Sequence, residues 1–497
     1  MPEVLTGIMK GFSIATLPMN LLLALVGCFC GTLVGALPGI GPSATIAILL
    51  PVTFGMEPTS AIIMLAGIYY GATYGGSITS ILMNIPGDPS SVMSTLDGYQ
   101  LAMQGRAGVA LGMAAISSFI AGTFSVVALM LIAPPVADFA VRFGPPEYFA
   151  LIFLGLTLIV YLGGKSVIKG LISGVAGLVI GTVGVDPMQG FGRYDFGIVR
   201  LADGVPFIVV AMGLFAVAEV LVNIEKPFKT EFITNKISGF LPTIKDWIAC
   251  RGAFVRGTLI GFFVGVLPGA GATIASFLAY GIEKRVSKNP ERFGAGAIEG
   301  VAAPEGANNA ATGGAMVPLF ALGIPGSSST AILLGGMMMY GLRPGPLLIS
   351  QNPDFFWGVV ASMYIGNMML LVMNLPLAGV FARLTRLPYS VLYPLILLFV
   401  VIGAYSLNNS VFEVWLVLIF GVVGYIMRKL DFPLAPLVLA LVLGPMAEKA
   451  LSQSLTMSHG SLAIFFTRPI AAVIFAFTLV MMVSPLLKKI WGRRQAG

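Results

Sequence analysis

Glu299 and Glu305 stand in a run of small residues, Ala295–Ala311, and Asn308 and Asn309 follow directly behind Glu305. A carboxylate at the centre of a membrane helix costs about 2.5–3.5 kcal/mol on insertion scales. Spacings of three and four residues put Asn308 and Asn309 on the helix face of Glu305. A carboxylate with amide carbonyls is an oxygen donor set suited to a hard cation, and a lone carboxylate in an apolar setting can also carry a proton. Ion coupling is therefore the functional reading of Glu299, Glu305, Asn308 and Asn309. The competing readings are a solvated Glu299 at the start of the run and helix–helix hydrogen bonding by the two asparagines. Glu219, at the end of another apolar run, reads as a carboxylate at a membrane edge.

A second chemistry lies in four Pro-Gly breaks. Gly31–Gly41 reads GTLVGALPGIG and Gly257–Gly271 reads GTLIGFFVGVLPGAG, each followed by Ala-Thr-Ile-Ala. Downstream, Gly71–Gly87 reads GATYGGSITSILMNIPG and Ala310–Gly326 reads AATGGAMVPLFALGIPG. Proline removes a helix hydrogen bond and clashes one turn back, while glycine permits the unusual backbone that follows. A new half-helix then opens, and its unpaired N–H groups carry partial positive charge suited to an anion. The candidate anion-binding residues are those of the breaks. The first hairpin supplies Pro38, Gly39, Gly41, Ser43 and Thr45, and its counterpart supplies Pro268, Gly269, Gly271 and Thr273. The interrupted helices supply Asn84, Pro86, Gly87, Ser90 and Ser91, and then Pro325, Gly326, Ser327, Ser328 and Ser329. Stretches Thr32–Ala102 and Leu259–Glu283 contain no Arg or Lys, so an anion there would be held by N–H groups and hydroxyls.

These residues need a lipid-embedded scaffold. The chain has 497 residues, 57% hydrophobic and only 10% charged, against roughly 25% charged in soluble domains. Its exterior must face a bilayer, and the fold class is an all-α integral membrane protein. Apolar runs such as Ala107–Pro134, Phe355–Phe381 and Val411–Met427 are long enough to approach a span. About 11 spans plus two hairpins are expected. The net charge of +7 reads as cytoplasmic anchoring charge rather than a nucleic-acid surface. Basic loops within Glu225–Arg256 and Glu283–Arg292, and the tail Lys488–Arg494, all fall on one side when spans are counted. That places the C-terminus in the cytoplasm.

The order of motifs is the same in both halves, which marks an internal repeat. Basic residues flank the second hairpin motif on both sides, whereas no basic residue follows the first until Arg106. The two repeats are thus expected to have inverted topology, each with a re-entrant hairpin and an interrupted helix. Each hairpin arm is about 14 residues, or roughly 21 Å, short of the roughly 30 Å hydrocarbon core. The alternative is a full span at Leu17–Leu37. Residues 1–222 form repeat 1, 223–256 a cytoplasmic linker, 257–487 repeat 2 with an extra C-terminal helix, and 488–497 a basic tail. Paired interrupted segments are the sequence pointer to a transporter site near midplane.

Other classes fit less well. There is no GxxxxGK[ST] phosphate loop. A Ser–His protease needs a base within reach of its nucleophile, and the single His459 sits in a polar turn outside the repeat. Bis-His haem ligation lacks histidines. Cys28, Cys30 and Cys250 are expected to be free thiols. A channel shares the use of broken helices, so a stand-alone anion carrier or channel is the competing class. No enzyme activity, resident cofactor or resident metal is expected.

The quoted motifs resemble the large membrane subunit of the tripartite tricarboxylate transporters, the TctA family. The resemblance runs nearly end to end: GALPGIGP (Gly35–Pro42), YGGSITSILMNIPG (Tyr74–Gly87), Arg193–Leu221, Gly265–Lys284, Phe293–Leu334 and RKLDFPLAPLVLALVLGPMAE (Arg428–Glu448). It implies a bacterial inner-membrane secondary carrier for citrate-like or other organic carboxylates. The implied partners are a periplasmic substrate-binding protein and a small four-helix membrane subunit, with co-transported Na+ or H+. Ser452 stands where the family commonly has Arg, before Gln453-Ser454-Leu455, so the substrate subclass stays open.

Overall fold

The computed structural model describes residues 2–37, 39–162, 166–186, 190–225, 239–384 and 389–495. Pro38, Lys226, Lys229 and Lys236, together with the turn basic residues Lys165 and Arg386, lie outside the described residues.

The chain opens with α1 (Pro2–Ala15), α2 (Pro18–Gly35), α3 (Pro42–Leu49) and α4 (Pro58–Met83). Proline at the first helical turn starts α2, α3 and α4, where its missing N–H is no loss. There follow α5 (Val92–Leu101), α6 (Ala107–Ala140), α7 (Pro145–Leu162) and α8 (Val167–Gly181). A two-residue hairpin of β1 (Gly184–Val185) and β2 (Gly192–Arg193) precedes α9 (Phe207–Ala211), which runs through a π-helical turn into α10 (Ala218–Glu225).

The second half begins with α11 (Ile244–Val266), α12 (Gly271–Val286), α13 (Glu299–Leu322) and α14 (Ser328–Met339). Then come α15 (Pro346–Gln351), α16 (Pro353–Leu384), α17 (Tyr389–Asn408), α18 (Val411–Lys429), α19 (Leu434–Met457), α20 (Ile464–Thr467) and α21 (Pro469–Gln495). Among the described residues, nine helices are long and apolar enough to cross a membrane, and five shorter apolar helices accompany them.

The chain divides into two units. One takes Met1–Ala137 and Ile208–Lys429, and the other takes Asp138–Phe207 and Leu430–Gly497. These units do not coincide with the two sequence halves. In the second unit α19 packs on α7 and α8, and α21 on α7. Gly177 of α8 lies so close to α19 that an added Cβ would sit 2.1 Å from the Leu437 carbonyl.

The first unit is built on one packing device used twice. In α2, an added Cβ on Gly27, Gly31 or Gly35 would sit 2.4 Å from the carbonyl oxygen of Met64, Ile68 or Ala72 of α4. In α11, Gly257, Gly261 and Gly265 stand 2.5, 2.3 and 2.4 Å from the carbonyls of Ala303, Ala307 and Ala311 of α13 by the same measure. Non-bonded atoms need about 3.5–4 Å, so only glycine fits at all six. This is small-residue packing at four-residue spacing, the usual device of membrane helices. The same packing is made twice, with Gly35 and Gly265 in matching places.

The hairpin arms differ from the even pair expected. The first arms are 18 and 23 residues long (α2 and α11), and the second arms 8 and 16 (α3 and α12). The physical reason for the long α11 is its start. Thr243 and Asp246 form a capping box, so the helix begins at Ile244, inside the segment read as linker. Arg256 is then a helical residue, paired with Glu283 of α12 at 2.7 Å.

Candidate functional site

The four breaks fall where the sequence puts them, all in the first unit. The helix α4 ends at Asn84, which takes the left-handed conformation at φ 56°, and α13 ends at Gly323 at φ 70°. Both are helix-terminating positions that favour Gly or Asn. The conformation of Asn84 thus supplies a helix end, and the residue is exposed at its terminus. Beyond each end, Pro86 and Pro325 keep the chain from resuming the helix at once. Gly87 and Gly326 then press onto neighbours in matching places. An added Cβ on Gly87 would lie 2.4 Å from the Gly76 Cα and 2.9 Å from the Gly35 carbonyl. One on Gly326 would lie 3.0 Å from the Ala315 Cβ and 3.1 Å from the Gly265 carbonyl.

The hairpin turns use left-handed glycines: Gly39 at φ 84°, Gly269 at φ 83° and Gly271 at φ 59°. The Gly269 N–H donates to the Gly326 carbonyl at 2.9 Å, tying the hairpin turn after Pro268 to the break in α13–α14. The turns also meet breaks of the other repeat. Ser43, in the first turn of α3, lies with its hydroxyl 2.8 Å from that of Ser328 and 3.0 Å from that of Ser329. On the other side α12, which carries Thr273 in its first turn, packs against the turn Pro89–Ser91. Thr45 is spent within its own helix, its hydroxyl donating to the Gly41 carbonyl at 3.1 Å.

The half-helices after the breaks are capped alike. Ser327 accepts the Thr330 N–H, and the Thr330 hydroxyl accepts the Ser327 N–H, a reciprocal box. In the first repeat Asp88 takes the cap position, and its carboxylate accepts from the Ser90 N–H and hydroxyl. The Ser91 hydroxyl accepts the Asp88 N–H at 3.2 Å and donates to the Asp88 carbonyl at 2.9 Å. Ser90 and Ser91 are therefore engaged with Asp88. Asp88 is absent from the candidate anion-binding residues of the sequence. The signal was present: Gly87-Asp88-Pro89 stands opposite Gly326-Ser327-Ser328.

Glu305 is 1% exposed and joins three helices. The Ser77 hydroxyl of α4 and the Ser94 hydroxyl of α5 donate to its two carboxylate oxygens. Asn309 does not bond that carboxylate. Its amide donates to the Ser118 hydroxyl of α6 at 2.7 Å and to the Glu305 backbone carbonyl at 3.2 Å. Asn308 is 1% exposed with neither amide atom hydrogen-bonded. Glu299, half-buried in the first turn of α13, has one oxygen buried without a partner. Beside Ser77 lies a cavity of about 20 Å³, lined also by Tyr74, Ser118 and Asn374. That is room for one water-sized species.

Glu219, read as a carboxylate at a membrane edge, is 6% exposed and lies inside the first unit. It is ion-paired to Arg428 of α18 and accepts from Asn223 at 3.1 Å. Its carboxylate sits at Gly39, where an added Cβ would be 3.2 Å away. The cause is tertiary: α18 packs along the π-helical turn before α10 and brings Arg428 to it. The carboxylate that backs the first hairpin is thus paired to an arginine of another helix, although the hairpin stretch itself has none.

Together these features define a multi-pass α-helical membrane protein with broken helices in its core. The profile of the tripartite tricarboxylate transporter TctA family matches residues 21–439, and the chain belongs to that family. It is 44% identical over 494 residues to an uncharacterized 52.8 kDa protein of the TAR-I ttuC′ 3′ region of Agrobacterium vitis, covering 99% of this chain and 98% of that protein. A second protein, from the TAR-II ttuC′ 3′ region of Agrobacterium vitis, is 44% identical over 234 residues, covering 47% of this chain and 97% of its own length. No solved structure matches the chain. Membership makes the chain a membrane subunit of a tricarboxylate transporter, in a family of transporters rather than enzymes.

Proposed function

We propose that the chain is the translocating subunit of an ion-driven secondary carrier that imports tricarboxylates or other organic carboxylates across the bacterial inner membrane. A periplasmic substrate-binding protein delivers the substrate, and a small four-helix membrane subunit completes the assembly. The carrier halves are inverted in the bilayer, with the C-terminus in the cytoplasm. The substrate carboxylate binds at the second break, on the hydroxyls of Ser43, Ser328 and Ser329 and the N–H groups that open α14. Glu305 serves ion coupling.

The observation that carries this reading is the meeting of Ser43 with Ser328 and Ser329 within 3.0 Å. Hydroxyls from two repeats converge at the start of α14, where helix geometry leaves N–H groups unpaired. Such a site offers fractional positive charge, which holds an anion yet lets it leave. A full ion pair with a buried arginine would bind more tightly and release more slowly.

The test is uptake of radiolabelled tricarboxylate by cells expressing the chain with the small subunit, with and without the binding protein. Uptake should require all three components, and Ser328→Ala with Ser329→Ala should raise KM by about tenfold, or about 1.4 kcal/mol. Unchanged KM in that double variant overturns the assigned site. Uptake of equal rate without the binding protein overturns the three-component reading.

A further inference from the structure

The two helix breaks follow one plan but carry different groups. Where the second repeat has Ser327 as cap, the first has Asp88. The residue beneath changes with it: Gly87 rests on Gly76, and Gly326 rests on Ala315. A Cβ on Gly76 would stand 2.9 Å from Asp88 Oδ1, so the carboxylate needs the glycine. Gly41 borders the same spot, 3.4 Å from the Asp88 Cβ by the same measure.

Asp88 is 7% exposed. Its Oδ2 takes both bonds from Ser90, while Oδ1 is buried with no partner. Five other buried carboxylates of the unit are matched on both sides. Glu219, Glu283 and Asp246 face Arg428, Arg256 and Arg106. Asp97 accepts three backbone N–H groups and the Tyr280 hydroxyl. Glu305 has a hydroxyl on each oxygen.

A buried carboxylate oxygen left unmatched is costly, and either a proton or a cation relieves it. A proton on Oδ1 creates one O–H donor and uses one acceptor, whereas a cation gathers several oxygens at once. A cation fills it with ligands that a helix break has to offer, since carbonyls are freed where the helix ends. Among the described residues no three His, Cys, Asp or Glu side chains gather for a metal. Divalent ions favour several carboxylates or imidazoles, whereas one carboxylate balances one monovalent charge.

We propose that Asp88 is the carboxylate ligand of a sodium ion seated in the first break, over Gly76 and beside Gly41. This rests on the carrier reading and divides the labour between the repeats: the first break takes the coupling ion and the second takes the substrate. Glu305, tied by Ser94 to the same half-helix, adds negative charge near the ion.

The test is equilibrium binding of 22Na+ to the purified full-length chain in detergent, without substrate or partners. The wild type should bind saturably, and Asp88→Asn should weaken binding by more than about tenfold. Gly76→Ala should weaken it as well by pressing on Oδ1, while Asp354→Asn, at an exposed pair with Lys10, should bind as wild type. Should Asp88→Asn fail to fold, Gly76→Ala decides, together with the melting temperature of the wild type, which Na+ should raise and equal K+ should not. Absent 22Na+ binding by the wild type, or wild-type binding by folded Asp88→Asn, overturns the proposal. Uptake in liposomes separates the two ideas. Uptake driven by a pH gradient in choline, with no 22Na+ binding, overturns the sodium site and leaves the carrier standing. Asp88-dependent 22Na+ binding without uptake under any gradient overturns the carrier reading alone.

Discussion

Arg428 closes an ion pair onto Glu219, and that carboxylate in turn backs Gly39 at the turn of the first hairpin. The second unit holds a pair of the same make: Arg193 grips Glu448 through two nitrogens, at 2.5 and 3.1 Å. Each glutamate follows an alanine near the end of an apolar helix, Ala218-Glu219 and Ala447-Glu448. Each arginine precedes an Asp-Phe, in Arg193–Phe196 and Arg428–Phe432. The arginine of each half therefore pairs with the glutamate of the other half. Removing one partner of a buried pair costs about 3–5 kcal/mol. Arg428 keeps 28% of its side chain exposed, which lowers the expectation for Arg428→Ala to about 2 kcal/mol. Thermal unfolding of the purified chain measures this, and a melting temperature equal to wild type contradicts it.

The glycine ladders predict a sharp contrast between positions. Gly261→Ala places a Cβ 2.3 Å from the Ala307 carbonyl, whereas Gly281→Ala meets nothing within 4 Å. Overpacking of this kind costs about 1–3 kcal/mol or more. Gly261→Ala should reduce the yield of monodisperse protein in size-exclusion chromatography, and Gly281→Ala should leave it unchanged or slightly raised. Equal yields would remove the argument for close backbone approach.

The breaks themselves are expected to be required for transport rather than for insertion. Gly326→Leu drives a side chain into Ala315 and the Gly265 carbonyl, and Gly269→Leu forces a branched residue to positive φ. Both variants should reach the membrane at normal levels and show uptake near background. Normal uptake at normal expression by either one would refute the role given to the breaks.

The serine cluster supplies a test of coupling between repeats. Ser43→Ala and Ser328→Ala remove opposite ends of one 2.8 Å contact. Their effects on KM should be non-additive by about 0.5–1.5 kcal/mol, the usual worth of such a hydrogen bond. Strict additivity in the double variant would place the two hydroxyls in separate roles.

Much of this site was legible along the chain because helix breaks are local events. Proline, glycine and a following hydroxyl fix Pro325, Gly326 and Ser327 wherever they stand, and the Ser327 cap follows from the same local chemistry. What joins the breaks is not local. Glu305 meets Ser94 and Ser43 meets Ser328 only through tertiary packing, so no spacing rule exposes either contact. The partner of Glu219 is hidden in the same way: nothing near it in the chain shows that another helix delivers Arg428. Asp88 was passed over because its oxygen deficit is a property of three-dimensional surroundings. The start of α11 was hidden because Arg251 and Arg256 read as linker charge, while the Thr243–Asp246 box opens the helix at Ile244.

The central claim is that this chain moves organic carboxylates uphill by coupling to an ion gradient. Proteoliposomes holding the chain and its small membrane subunit, supplied with the binding protein outside, test it most directly. With an inward Na+ or proton gradient, labelled tricarboxylate should accumulate inside to more than about tenfold the external level, saturate with concentration, and collapse when the gradient is dissipated. Accumulation that stops at equal concentrations, rises linearly with substrate and ignores the gradient would show a channel instead.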